Sequence, residues 1–158
     1  MDTAKAAAVV AADKNALRVP DAIDQAKDEE EAWTIRTTPW LDHVSKTNPL
    51  KKDRPRTFIT RKGRKVGLYA APEQNGSFHF QVEDRPLNVL VLLAEGGDRR
   101  LRDFVLPPKV LQDNWKKFVR RNGHVQVELR ATAQNASLVV PDGEVPVQQY
   151  LADYSALQ

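Results

Sequence analysis

Asn75-Gly76-Ser77-Phe78-His79-Phe80-Gln81-Val82-Glu83-Asp84-Arg85-Pro86-Leu87-Asn88-Val89-Leu90-Val91-Leu92-Leu93-Ala94 is the stretch on which the fold turns. Its first two residues tolerate positive φ and make the strongest short hairpin signal in the chain. From 77 to 83 apolar and polar residues alternate, with Phe78, Phe80 and Val82 set against His79, Gln81 and Glu83. That is the pattern of a strand buried on one face. Asp84-Arg85-Pro86 turns the chain again. Residues 87–94 are apolar at nearly every position, so this strand has to be covered on both faces and belongs in the middle of a sheet.

Upstream, residues 56–60 read as a strand with Phe58 and Ile59, and Arg61-Lys62-Gly63-Arg64 as a turn. Residues 65–71 form the returning strand, with Val66, Leu68 and Ala70 on one face. The region 51–65 is therefore expected to be a basic β-hairpin opening an antiparallel meander. Downstream, residues 103–106 make a short strand, and Pro107-Pro108 opens a helix where proline is tolerated. That helix is predicted over 109–121, its stripe formed by Val110, Leu111, Trp115, Phe118 and Val119, with Asn122-Gly123 ending it. Residues 124–130 alternate as a half-buried strand and 137–140 form another. Val147, Tyr150, Leu151, Tyr154 and Leu157 are spaced for a closing amphipathic helix. The expected fold class is α+β, with a mostly antiparallel or mixed central sheet of about five to seven strands flanked by two amphipathic helices.

The first 32 residues differ in kind. They offer few large apolar side chains (Val9, Val10, Leu17, Val19, Ile23) and predict an acidic arm, helical or partly disordered and weakly docked, ahead of a single domain over 33–158. Asp2 or Thr3 can cap an alanine-rich helix, and Asp21 a second short one after Pro20. Trp33 and Trp40 follow closely. A strand over 33–37 and a helix over 39–46 fit the prolines, and the tryptophans would pack the arm onto the domain or offer a stacking platform.

The chain of 158 residues, 41% hydrophobic and 28% charged, is long enough for one ordinary core. It has no cysteine, hence no disulfide and no thiolate metal site. No apolar run approaches the ~20 residues that span a bilayer, and Asp2 and the short Ala/Val run argue against a signal peptide. A cytoplasmic protein without membrane contact is expected. The net charge of +3 hides an asymmetry. Residues 1–31 carry four basic and eight acidic side chains, whereas 51–65 carry eight basic ones against Asp53 alone.

That asymmetry points to phosphate contacts. Lys51, Lys52, Arg54, Arg56, Arg61, Lys62, Arg64 and Lys65 on two short strands and their turn can reach successive phosphates, and Gly63 lets backbone approach. Lys116, Lys117, Arg120 and Arg121 form a second cluster at a helix end, where the dipole favours cations anyway. Catalytic patterns are sparse. His43, His79 and His124 lack ligand spacing, and there is no phosphate-cradling glycine loop. Asp53, Glu73, Glu83, Asp84 and Asp103 are the carboxylates that a metal site could draw on.

From Arg56 to Leu157 the order of elements resembles the PD-(D/E)xK nuclease-like superfamily. The hairpin, the strand Arg64-Lys65-Val66-Gly67-Leu68-Tyr69-Ala70-Ala71, the apolar strand and the step Phe104-Val105-Leu106-Pro107 into a helix carry the likeness. The catalytic motif departs from it. Gly67-Leu68-Tyr69 stands where Glu/Gln-x-Lys belongs, so the resemblance implies a degenerate site: a nucleic-acid-binding scaffold, with DNA the expected ligand, without cleavage and without cofactor. Two alternatives stay open. One is a Mg²⁺-dependent nuclease with a shifted site built from Asp53, Glu83 and Lys65 or Lys62. The other is a protein-interaction module that engages its partner through residues 1–50.

Overall fold

The computed structural model describes residues 17–158, in which two α-helices and ten strands form an α+β protein. The helices are α1 (Glu29–Val44) and α2 (Pro108–Asn114). Strands β1 (Lys51–Arg54), β2 (Thr57–Ile59), β3 (Lys65–Pro72), β5 (Val89–Glu95) and β6 (Leu101–Leu106) lie side by side in that order in one sheet. The second sheet runs β10 (Gly143–Pro146), β9 (Ala136–Val140), β8 (His124–Ala131), β4 (Ser77–Glu83), and β7 (Val119–Arg121) also pairs with β8.

The wholly apolar strand decides the layering. β5 is buried at every position, between β3, to which it runs parallel, and antiparallel β6. Leu90, Leu92 and Ala94 face a core shared with Phe78, Phe80 and Val82 of β4 and Val125, Val127 and Leu129 of β8. Val89, Val91 and Leu93 face the opposite side, where Trp40 and Val44 of α1 cover them. The result is three layers: α1, the first sheet, the second sheet. A strand that alternates, such as β4, needs cover on one face only and serves in the outer layer.

The turn at Asn75-Gly76 forms as expected, with φ of 54° and 81° and an isolated bridge between Gln74 and Ser77. The strands it joins then part company. β3 takes β5 as its neighbour and β4 crosses into the second sheet, because a strand apolar on both faces wins the central place. The expected mixed central sheet is the five-stranded first sheet, and the second sheet is stacked on it.

Three helix readings change. The strand over 33–37 and the helix over 39–46 are one helix, α1, which holds Pro39 in its interior. Asp28 caps it, accepting from the Glu31 N–H at 2.8 Å, and Glu29, Glu30 and Glu31 fill its positive first turn. Trp40, fully buried, makes the helix worth forming despite the proline. The helix predicted over 109–121 stops at Asn114. A 3-10 turn, Trp115–Lys117, follows, and β7 hairpins into β8 through Asn122-Gly123 at φ 53° and 78°. The closing helix is replaced by two 3-10 turns, Gln148–Tyr150 and Ser155–Leu157.

The expected arm boundary at residue 32 falls inside α1. Residues 17–19 are docked rather than loose. Val19 is fully buried, its N–H donates to the Arg99 carbonyl at 2.8 Å, and the Leu101 N–H donates to the Leu17 carbonyl at 2.7 Å. The alanine-rich helix expected near Thr3 lies outside the described residues. Among the described residues, no helix is long and apolar enough to cross a membrane.

Candidate nucleic-acid interface and an adjoining cleft

The basic segment is a three-stranded ribbon rather than one hairpin. β1 pairs with β2 across a turn holding Arg56 at φ 62°, and β2 pairs with β3 across Arg61-Lys62-Gly63-Arg64. Registers place it in the fold. Lys51 opposes Ile59, which opposes Lys65, and Val66 opposes Val89. Lys51, Lys65 and the 61–64 turn therefore sit at the end of the sheet where β5 begins and β6 finishes.

The second cluster is at that same end. The 84–88 loop joins β4 to β5 and touches both clusters. Lys65 N–H donates to Asn88 Oδ1 at 2.8 Å, while Asp84 accepts from Arg120 Nε at 2.9 Å and from Trp115 Nε1 at 3.3 Å. Lys116 and Lys117 follow Trp115 directly, and Arg121 opposes His124 in the register of β7 with β8.

Three of the expected cations are occupied. Arg56 pairs with Glu30 at 3.5 Å and lies over the Trp33 ring, 5.7 Å from its centroid. Arg64 donates to the Ala156 carbonyl at 3.0 Å. Arg120, besides Asp84, donates to the Phe118 and Trp115 carbonyls. Lys51, Lys52, Arg54, Arg61, Lys62, Lys65, Lys116, Lys117 and Arg121 are exposed and have no ion pair among the described residues.

The carboxylates are scattered. Asp53 lies on the exposed edge strand β1, two strands and so about 10 Å from β3 and Lys65. Glu83 belongs to the other sheet and pairs with Arg85. Glu73 is exposed, and Asp84 is held by Arg120. Among the described residues, no three His, Asp or Glu side chains gather as metal ligands. Tyr69, at the motif position where the nuclease resemblance would place lysine, is buried between the sheets. Its hydroxyl accepts from the Glu83 N–H at 3.1 Å, and burial raises its pKa.

Asp103 is 1% exposed, and its carboxylate accepts from Trp40 Nε1 at 2.9 Å and from the Tyr154 hydroxyl. Burial raises its pKa despite both hydrogen bonds. Burial first, then the Asp103 charge, raises that of Tyr154. Asp103 thus fastens α1 and the C-terminal segment to β6, and the buried setting of this group suits structure rather than metal binding.

Where β3 and β4 diverge, a cleft of about 650 Å³ opens, its lining including Glu29, Trp33 and Arg36 of α1, Arg56, residues 69–72, His79, Gln81, Glu83 and His124. Arg36 and the buried Glu95 form an ion pair at 2.7 Å. The pair belongs to no sequence motif; its signal in the sequence is Glu95, an acid closing an otherwise apolar central strand, which demands a partner. No protein-family model matches the chain, and no curated protein matches it.

Proposed function

We propose that this chain binds nucleic acid, DNA foremost, through phosphate contacts from the basic end of its two sheets. One observation carries the reading. The segments around the 84–88 loop bring cations from two distant stretches of sequence to one end, and most of them are exposed without ion pairs among the described residues. Cations held for structure are paired, as Arg36, Arg99 and Arg120 are. Exposed unpaired ones attract an extended polyanion, releasing its counterions. The contacts come from side chains on rigid strands and a tight turn, so they fix position on the backbone rather than read bases.

The deciding measurement is fluorescence anisotropy with a labelled 20-base-pair duplex across a salt series. Affinity is expected to fall steeply with salt, by about 0.9 in the log–log slope for each phosphate neutralised. Replacing Arg61, Lys62 and Lys65 by Ala together is expected to flatten that slope by about two to three. An unchanged slope and affinity in a folded triple variant would rule the reading out.

A further inference from the structure

Strands leave half of their peptide groups pointing to each side, so a strand paired on one side only shows a free edge. β4 pairs with β8 along one edge. The odd residues of β4 face away from β8. The Ser77 N–H and carbonyl both bond to Gln74, and the Glu83 N–H bonds to Tyr69. Between these two tied ends, the N–H and carbonyl groups of His79 and Gln81 have no partner among the described residues. β3 is open nearby. β2 covers it only as far as Leu68, whose N–H meets the Arg56 carbonyl and whose carbonyl meets Trp33 Nε1. The next residue with that orientation, Ala70, has no partner among the described residues.

All three residues line the same cleft. Their peptide groups repeat every second residue, about 7 Å apart, the period of an extended chain. Arg36 adds charge. Its Nε is committed to Glu95, but its two Nη amino groups have no partner among the described residues. A guanidinium held from behind presents a fork matched to a carboxylate.

We infer that this cleft takes an extended, acidic peptide of a partner protein, added as a strand along β4 with a carboxylate on Arg36. The site adjoins the basic end, sharing Arg56 with the basic segment and reaching His124, but it uses strand main-chain groups and Arg36 rather than the unpaired cations, so it does not depend on DNA binding. A recessed edge also explains how the chain can keep unpaired strand groups without edge-to-edge aggregation.

The test uses ¹⁵N-labelled full-length protein and capped heptapeptides that alternate Val and Thr around one central Glu. The amides of Ala70, His79 and Gln81 are expected to shift, and those of His79 and Gln81 to exchange more slowly. N-methylating alternate peptide residues, or changing the peptide Glu to Gln, should weaken binding about tenfold. Gln81→Pro, which deletes an N–H that β8 does not use, should do the same. The N-methyl peptide gives that readout even where the variant does not fold. Two results would overturn the inference: no response at these amides, or a response to single-stranded oligodeoxythymidylate with none to the peptides.

Discussion

The basic end and the polar groups beneath α1 use charge in opposite ways. At the end, Lys62, Lys65 and Lys117 stand in water. Beneath α1, Asp103 and the Arg36–Glu95 pair are largely withdrawn from it, Asp103 held by Trp40 and Tyr154 and Glu95 by the Arg36 Nε. An exposed charge contributes little to stability and remains available to a ligand. A buried one is costly to leave unpaired and therefore fixes geometry. The difference predicts which substitutions change folding and which change only binding.

The largest effect belongs to Trp40→Ala, which empties a fully buried site and removes one of the two side-chain hydrogen bonds to Asp103. A loss of about 3–5 kcal/mol in chemical denaturation is expected. Glu95→Gln comes next. It leaves the Arg36 guanidinium half-buried without its counterion and should cost about 3 kcal/mol. A loss under 1 kcal/mol would place Arg36 with the exposed cations instead.

Asp103 gives the pH test. Its folded pKa is raised by burial, so the folded state holds the proton more tightly than the unfolded chain does. The stability it contributes is complete below the ordinary carboxylate range and is lost as pH rises through the raised value. Asp103→Asn keeps an acceptor for Trp40 and Tyr154 and removes the titration. Relative to the parent protein, the variant should gain stability as pH rises from about 4 to 7, measured by urea melts at each pH. A constant difference would mean Asp103 ionises as freely as a surface carboxylate.

The smallest folding effect is expected at the basic end. Lys62→Ala, Lys65→Ala and Lys117→Ala should each stay within about 0.5 kcal/mol of the parent protein while weakening duplex binding by similar factors whatever the DNA sequence. A strong sequence dependence would show base contacts as well as phosphate contacts.

Legibility followed local chemistry. The strands β3, β4, β5, β8 and β9 were readable because alternation and continuous apolarity report directly on one or two covered faces. The two Asn-Gly pairs show the limit. Both adopt positive φ and both turn a chain between strands. In sequence the second fits a helix end equally well, because positive φ also caps helices and the preceding stripe fits a helix. The basic clusters were visible as charge runs, but their shared end was not, since it depends on the registers of two sheets. The cleft was not legible at all. Its free peptide groups belong to ordinary residues, Ala70, His79 and Gln81, that become distinctive only when their strands separate.

Patterning along the chain was enough to make residues 87–94 central, 77–83 half-buried and 51–65 crowded with cations. Those are properties of side-chain patterning, set residue by residue. Only the tertiary structure decided that β3 would leave β4 for β5, that Asp103 would be buried, and that two basic stretches would meet beside the 84–88 loop. The reason is competition for partners. A strand edge, a buried acid or a surface cation acquires its role from what remains after every stronger contact has been made.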